Sequence, residues 1–374
     1  MAFNLPRYQD LNKEEQDPIV NAPLDKSILV SGPPGTGKTV LALYRAHNCK
    51  EQRRKFLFLV YNNTLNDYMT KAIEQLGVKG ETRTWHKWLR EFYLEEVGEK
   101  LPRDGKNPFK YDWDQVVDQL GNGADVSLGD VVLDEGQDMP PGFYRMIGQI
   151  ADNVSVFADE NQSVTKDGSS IRQIQRFCKP DDQYKITRNY RNTRQIAELA
   201  QQFYTGASGS LPELPDKRSG ALPECIEASK EQQKNFITRY CLNNSRSSIG
   251  VLCISQKEVK SMHEMLAGEA KLRNRVEYFI SKENNEDRPP LQFEKNSITV
   301  TTLHSAKGLE YDRVIIPFLS SKASTNRWDE TSRTLFYVAV SRARDHLTFM
   351  TDEEPDDVEI LAHVDDELIE WRTL

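Results

Sequence analysis

Several features that mark other classes of protein are missing from this 374-residue sequence. No apolar run approaches the roughly 18 residues that a membrane-spanning helix requires, and the N-terminal MAFNLPRYQD lacks the charged-then-apolar pattern of a secretory signal. The five cysteines form no CxxC pair, so the sequence indicates neither a disulfide framework nor a zinc site. We therefore expect a cytoplasmic, water-soluble protein with reduced and mostly buried thiols.

An excess of positive charge is also missing. Lys and Arg number 49 against 57 Asp and Glu, which gives a net charge of −8. The molecule as a whole would not attract a polyanion, so any contact with nucleic acid requires a local groove.

What is present is a succession of short apolar runs, each followed by a helix-like stretch. The chain is longer than one typical domain of roughly 100 to 200 residues, which predicts two globular units. Strands that alternate with helices favour parallel sheets, and we place the boundary near residue 180, giving units at 1–180 and 181–374. The predicted strands are residues 27–30, 55–60, 131–133, 154–157, 249–254, 298–302 and 314–318.

The most specific pattern is a glycine-rich loop. The segment SILVSGPPGTGKTVLALYRAH reads as strand, loop and helix, which is the context that the G-x-x-x-x-G-K-[ST] pattern requires. Glycines let backbone N–H groups surround a β-phosphate, Lys38 reaches the β- and γ-phosphates, and Thr39 binds magnesium. The expected nucleotide-binding residues of this loop are Gly32, Gly35, Thr36, Gly37, Lys38 and Thr39.

An acidic pair completes this chemistry in the segment VVLDEGQD. Asp134 ends an apolar run, where its carboxylate can hold magnesium through water, and Glu135 is placed to orient and deprotonate the attacking water. Alone, such a pair would usually be an exposed turn. Because this acidic pair follows a phosphate loop in the sequence and lies at the end of a buried strand, it indicates a catalytic role.

With these motifs, the chain resembles superfamily 1 helicases of the UvrD/Rep branch, in a minimal form. The resemblance implies an α/β fold of two tandem RecA-like P-loop domains with parallel sheets and an ATP site in the cleft between them. LNKEEQDPIV resembles the adenine-reading segment and implicates Gln16, and VFADENQSV resembles the third motif, whose glutamine senses the γ-phosphate, here Gln162. TRNYRNT resembles the fourth motif, with Tyr190 on adenine and Arg191 on the γ-phosphate; packing in the core is the alternative for Tyr190.

Two later segments extend the resemblance. ITVTTLHSAKGLEYDRVI is similar to the fifth motif, which implies that Glu310 contacts the ribose and that Thr302, His304 and Lys307 couple nucleotide state to the nucleic-acid track. RTLFYVAVSRARDHLTF is similar to the sixth motif and implies that Arg342 is the arginine finger. The implied catalytic set is Lys38, Glu135, Gln162, Arg191 and Arg342, with ATP and Mg²⁺ as cofactors.

The nucleic-acid track is implied by two further segments, VYNNTLNDYM and TRTWHKWL. The first resembles a motif that offers an aromatic ring and two asparagines, and the second offers a threonine, a tryptophan and a histidine. A packed helix face is an equal alternative for the Trp/His/Trp cluster. The candidates are Tyr61, Asn62, Asn63, Thr84, Trp85, His86, Lys166, Thr302 and His304.

The sequence departs from the UvrD/Rep pattern in two places. After the glutamine of the third motif, relatives carry Tyr, Trp and Arg, whereas SVTKDG follows here, so the expected base-stacking platform is missing and Lys166 is left as a phosphate contact. Relatives also insert a large accessory domain into each half. Here the first half has room only for a short helical insertion at about residues 89–128.

These motifs predict ATP hydrolysis that is stimulated by single-stranded DNA, in a helicase or translocase that tracks 3′ to 5′. RNA is not excluded as the strand, because no track motif reads the 2′-hydroxyl. The rival hypothesis is an ATPase switch that senses DNA and regulates a partner such as a nuclease, for instance in defence against foreign DNA, without unwinding by itself.

Overall fold

The computed structural model describes residues 7–61, 63–76, 82–105, 107, 110–123, 127–159, 167–206, 211–216, 218–280, 296–323 and 325–374. The chain divides into two compact units, one with residues 7–33 and 37–186 and one with residues 34–36 and 187–374. Within the described ranges, no helix is long and apolar enough to cross a membrane.

The first unit is built on a parallel sheet whose described strands lie in the order β3-β2-β4-β5-β1-β6. The strands are β1 (Ile28–Ser31), β2 (Phe56–Val60), β3 (Thr82–Thr84), β4 (Asp130–Leu133), β5 (Asn153–Ala158) and β6 (Asp182–Lys185). The helices are α1 (Asp17–Val20), α2 (Lys38–Glu51), α3 (Asn63–Gln75), α4 (Trp85–Val97), α5 (Trp113–Gly123), α6 (Pro141–Ile150) and α7 (Ile171–Cys178). All four residues of the central strand β4 are buried, as expected for a parallel sheet that is covered on both faces.

The second unit repeats this architecture with strands in the order β13-β7-β12-β11-β8-β10-β9, and its described pairs are all parallel. The strands are β7 (Glu224–Glu227), β8 (Ile249–Cys253), β9 (Val276–Phe279), β10 (Ile298–Thr302), β11 (Tyr311–Leu319), β12 (Ala343–Thr351) and β13 (Glu370–Thr373). The helices are α8 (Arg194–Gln202), α9 (Lys230–Asn243), α10 (Gln256–Gly268), α11 (Glu330–Val340) and α12 (Glu359–Ala362). The prediction of two α/β units with parallel sheets is confirmed.

The first unit ends at Ile186, a few residues beyond the boundary near residue 180 that the sequence predicts. The reason is β6, which pairs in parallel with β1 of the first sheet, with Tyr184 opposite Val30. β6 therefore belongs to the first unit, although it lies after residue 180.

Between β3 and β4 the described chain holds only α4, an isolated antiparallel bridge between Arg103 and Tyr111, and α5. The rings of this segment join the core of the first unit, where Trp85, Trp88 and Phe92 are buried. The connection is therefore a packed helical layer over the sheet and contains no separate domain.

The five cysteine thiols are buried and free. Burial raises the pKa of Cys49 to about 11 and that of Cys178 to about 12, so neither is a reactive thiolate at neutral pH. The expectation that the thiols are buried is confirmed.

A buried arginine ties α2 to the sheet of the first unit. Arg45 is 2% exposed. Its Nε donates to Ser155 Oγ at 3.0 Å, its Nη1 to Ala22 O at 2.6 Å, and its Nη2 to Pro23 O at 2.8 Å and Lys26 O at 2.9 Å. One guanidinium thus satisfies three backbone carbonyls of the segment that leads into β1.

Replacing Arg45 by methionine keeps the length of the side chain but leaves these carbonyls without their donor. We expect a loss of about 3 kcal/mol or more in the free energy of unfolding, because each buried group that loses its partner costs about 1 to 3 kcal/mol. Urea unfolding followed by circular dichroism measures this loss. Arg172→Met on the exposed side of α7 is the control, and equal stability of the two variants would contradict the structural role of Arg45.

Candidate active site

The loop between β1 and α2 has a backbone that glycine alone accommodates. Gly35 and Gly37 have φ values of +81° and +87°, in the left-handed region that other residues avoid. A Cβ atom at Gly32 would lie 2.3 Å from the carbonyl oxygen of Ile186. The glycines of the phosphate-loop pattern are thus required by geometry.

Gln16 lies beside this loop. Its Oε1 accepts a hydrogen bond from the backbone N–H of Asn12 at 3.0 Å, and the residue is buried. A Cβ atom at Gly37 would lie 2.7 Å from Gln16 Nε2, so the amide sits directly over the start of α2. This position agrees with the predicted contact to adenine, which stays a prediction.

Lys38 is the first residue of α2, and its ammonium is held within the loop. Nζ donates to Gly32 O at 2.6 Å and to Pro33 O at 2.9 Å, and it lies 3.8 Å from Asp159 Oδ2. Asp159 directly follows β5, the strand next to β1, and it is 1% exposed. Asp159 is not among the residues predicted from the sequence, although its place directly after an apolar strand could have indicated it.

The two predicted magnesium ligands contact each other. Thr39 Oγ1 donates to Asp134 Oδ2 at 2.9 Å, although the residues are far apart in the chain. Burial and the neighbouring Glu135 raise the pKa of Asp134 to about 7, against the opposite effects of Thr39 and Lys38. A hydroxyl and a carboxylate are oxygen ligands of the kind that Mg²⁺ takes together with water and substrate phosphates, so the residues fit this ion.

Glu135 lies on a turn with a strained backbone. Its φ is +52°, which is unusual for a residue other than glycine and is typical of functional sites. Its carboxylate accepts a hydrogen bond from Gln137 Nε2 at 2.5 Å, and Gln137 Oε1 in turn accepts one from the backbone N–H of Asp159 at 2.9 Å. Gln137 is therefore a positioning residue that links the predicted base to the end of β5, and it is not among the residues predicted from the sequence.

Three predicted residues of the first unit, Gln162, Lys166 and Asn62, lie outside the described residues. Asn63 begins α3, but its side chain also lies outside the described part. Their roles stay predictions.

In the second unit the structure brings two predicted residues together. Arg191 Nε lies 2.6 Å from Glu310 Oε2 in an ion pair that is mostly shielded from solvent. Burial acts to raise the pKa of Glu310, but the charges of Arg191 and Arg344 outweigh it and hold that pKa below its ordinary value. Tyr190, the preceding residue, is half-buried.

The guanidinium of Arg342 is fixed by its own unit. It follows α11 and is 2% exposed. Nε donates to Val338 O at 2.9 Å, Nη1 to Leu309 O at 3.3 Å, and Nη2 to Ser341 Oγ at 2.9 Å. These contacts hold the arginine in one orientation beside the Glu310 segment, and its role as an arginine finger stays a prediction.

The structure corrects the interpretation of Trp85. This residue is 3% exposed, and its ring lies 5.4 Å from the Phe143 ring and 6.3 Å from the Trp113 ring. The packed helix face is therefore right for Trp85, because a ring enclosed by core side chains has no face to offer a base. Thr84 is buried at the end of β3, whereas His86 is exposed.

The remaining track candidates lie at the ends of strands. Tyr61 follows β2 and packs against the core, and desolvation raises its pKa to about 12. Thr302 ends β10, where its buried Oγ1 donates to Ser305 Oγ at 2.8 Å. His304 in the next turn is exposed. Tyr61 and His304 have solvent-accessible surface that a ligand could contact, whereas the Thr302 hydroxyl is hydrogen-bonded within its own turn.

A glycine-rich loop after one strand and an acidic pair after another strand of the same parallel sheet define a nucleotide hydrolase with a P-loop, RecA-like core. The model of the AAA domain family matches residues 16–167, and that of the UvrD-like helicase C-terminal domain matches residues 252–354. The two matches support a UvrD-like superfamily 1 helicase with two tandem RecA-like P-loop domains, and such domains imply an ATP-hydrolysing motor of the DNA helicase type.

One solved structure that the chain resembles is the C-terminal domain of a possible DNA helicase from Lactobacillus plantarum WCFS1. The two are 23% identical, and the match covers 48% of this chain and 97% of that chain, with a TM-score of 0.35. A comparison with curated proteins gave no match.

Proposed function

We propose that this chain hydrolyses ATP in response to single-stranded DNA and uses the hydrolysis to move along the strand, 3′ to 5′ as in the UvrD/Rep branch. The observation that supports hydrolysis best is the contact between Thr39 and Asp134 at 2.9 Å, with Lys38 and Glu135 beside them in sequence. Both family matches support a motor of the DNA helicase type.

Each residue of the first unit has a distinct task in this proposal. Lys38 binds the β- and γ-phosphates. The carbonyl of Gly32 and the carboxylate of Asp159 hold its ammonium group within the loop. Thr39 and Asp134 hold Mg²⁺, which neutralises developing charge on the phosphate oxygens. Glu135 accepts a proton from the water that attacks the γ-phosphorus, while the bond from that phosphorus to the β-γ bridging oxygen breaks.

Residues of the second unit complete the proposed nucleotide contacts. Arg191 and Arg342 stabilise negative charge on the transferred phosphoryl group, and Glu310 binds the ribose. Tyr190 and Gln16 contact the adenine.

The test is the rate of ATP hydrolysis with and without single-stranded DNA. We expect oligo(dT) to raise turnover at least about tenfold, which corresponds to about 1.4 kcal/mol in the activation free energy. Release of inorganic phosphate measures the rate, and oligo(U) in a parallel reaction distinguishes DNA from RNA. Turnover that no strand changes would refute the coupling to nucleic acid.

The short connection between β3 and β4 favours a second candidate function, an ATPase switch that senses DNA and licenses a partner such as a nuclease. This candidate predicts ATPase activity stimulated by DNA without strand displacement on a duplex that carries a 3′ single-stranded tail. Displacement by the isolated chain would exclude the switch and support the motor.

A further inference from the structure

A group of aromatic rings lies on the first unit, where α4 meets the segment leading into α5. The Tyr111 ring lies 5.6 Å from the Trp113 ring and 6.2 Å from the His86 ring, measured between centroids. Below them the buried Trp85 stacks on His86 at 3.5 Å and on Trp113 at 6.3 Å. Four rings from two separate segments thus form one continuous cluster.

The outer members of this cluster keep solvent-facing surface. His86 is exposed, and Tyr111 and Trp113 are half-buried, in contrast to Trp85 beneath them. A cluster that only completed the core would bury its rings, because each exposed aromatic face forgoes hydrophobic stabilisation. Instead, the buried ring of Trp85 supports a layer of rings that solvent can reach.

Basic residues border this layer. The Arg103 guanidinium lies over the Tyr111 ring, 4.4 Å from its centroid. Arg90 lies four residues after His86, one turn further along α4. Desolvation against the neighbouring rings and then the charges of Arg90 and Arg103 lower the pKa of the His86 ring below its ordinary value. Aromatic faces next to guanidinium groups are the combination that binds bases and phosphates of a single strand.

Two acidic residues near the layer are paired with arginines, and Asp112, between Tyr111 and Trp113, accepts a hydrogen bond from the backbone N–H of Gln115 at 3.1 Å. Asp114 forms an ion pair with Arg145 at 2.7 Å, and Glu91 forms one with Arg83 at 2.7 Å. Among the described residues, no carboxylate forms an ion pair with Arg103. The Arg103 guanidinium therefore places a positive charge directly at the rings, although the net charge of the chain is −8.

The position of Trp113 is fixed by its surroundings. A Cβ atom at Gly142 would lie 2.1 Å from Trp113 Cγ, so the indole rests directly on the backbone of α6. Lys110 forms an ion pair with Asp167 at 2.5 Å, which ties this segment to the end of SVTKDG, a stretch without an aromatic residue. This ion pair places the ring-bearing segment next to Asp167.

We propose that Tyr111 and Trp113, with Arg103 and Arg90, form a surface that stacks bases and binds phosphates of single-stranded DNA. This inference rests on the proposed function and adds residues that the track motifs did not include. It also gives His86 the task of a neutral stacking ring.

The test measures the affinity of the full chain for fluorescein-labelled oligo(dT) by anisotropy. Removal of an aromatic ring costs about 1 to 3 kcal/mol per stacked base, which is about 5-fold to 150-fold in affinity. We therefore expect Tyr111→Leu and Trp113→Leu each to weaken binding at least fivefold. Tyr111→Phe keeps the ring and is expected to restore the affinity. Tyr278→Leu, which removes an exposed ring from β9 of the second unit, is the matched control and should bind as the unchanged protein does.

Arg103→Ala provides a second measurement, which removes the guanidinium beside the Tyr111 ring but keeps all four rings. Loss of one phosphate contact is expected to reduce the slope of log affinity against log salt by about 0.7, the value for one contact to a single strand. The inference is overturned if the Leu variants, with unfolding temperatures like that of the unchanged protein, bind oligo(dT) equally well, or if the salt slope of Arg103→Ala is unchanged. Failure of the proposed function differs from this outcome, because the unchanged protein would then not bind or respond to oligo(dT) at all.

Discussion

Replacing Glu135 by glutamine is expected to lower ATP turnover about thousandfold while leaving nucleotide binding intact, since a general base contributes about two to four decades in rate. Glutamine keeps the shape of the side chain and an oxygen that can accept the 2.5 Å hydrogen bond from Gln137 Nε2. What it removes is the group that takes the proton from the attacking water. Phosphate release measures turnover, and a fluorescent ATP analogue measures binding.

Two further variants sharpen this result. Glu51→Gln, on an exposed position at the end of α2, makes the same chemical change away from the site and should be without effect. Lys38→Ala removes the phosphate contact itself and should lose binding together with turnover. Turnover that survives Glu135→Gln, or binding that is lost with it, would show that Glu135 is not the base.

The phosphate loop and the acidic pair could be predicted because their chemistry is encoded in contiguous residues. The glycine positions are dictated by backbone conformation, as the φ values of Gly35 and Gly37 show. The sequence assigns Thr39 and Asp134 to the same magnesium ion, and their contact is consistent with parallel strands whose carboxyl ends meet at one edge of a sheet. The local sequence pattern and the rules of parallel-sheet topology were together sufficient to predict the phosphate loop and the acidic pair.

Asp159 and Gln137 could not be assigned in the same way. Their roles come from contacts that depend on the order of strands, with β5 lying between β4 and β1. That order brings the end of β5 to Lys38 on one side and to Gln137 on the other, at 3.8 Å and 2.9 Å. A single sequence contains no local signal for which strands are neighbours.

Trp85 shows a different limit. The sequence places Trp85 and His86 side by side at the start of a helix, and residue type alone does not say which ring faces the core. The packing of α5 and α6 decides it, because Trp113 and Phe143 close over Trp85 and leave His86 outside. The half-buried Tyr111 and Trp113 were missed because no motif contains them.

Removing the guanidinium of Arg191 is expected to lower the rate of ATP hydrolysis about thousandfold, the lower end of the effect of an arginine on phosphoryl transfer. Arg191→Ala removes positive charge that the proposed mechanism places on the γ-phosphate. The Arg191→Lys variant keeps the positive charge but lacks the planar guanidinium, which can donate two parallel hydrogen bonds to a phosphate. It should therefore recover only part of the rate of hydrolysis. Arg194→Ala is the matched control, because Arg194 lies nearby on α8 and is half-exposed in an i,i+4 pair with Glu198.

The ion pair with Glu310 determines how this result is interpreted. At 2.6 Å it stabilises both side chains, so an effect of Arg191→Ala on folding alone has to be separated from an effect on chemistry. The surroundings allow this, because Arg344 and Arg342 also act to lower the pKa of Glu310 and remain to compensate its charge. The unfolding temperature is therefore expected to change little.

The double variant Arg191→Ala, Glu310→Ala separates the two roles of Arg191. If Arg191 serves only to neutralise Glu310, the double variant will recover the rate of ATP hydrolysis. If Arg191 binds the γ-phosphate, that rate will stay low. A recovered rate would refute the catalytic assignment of Arg191.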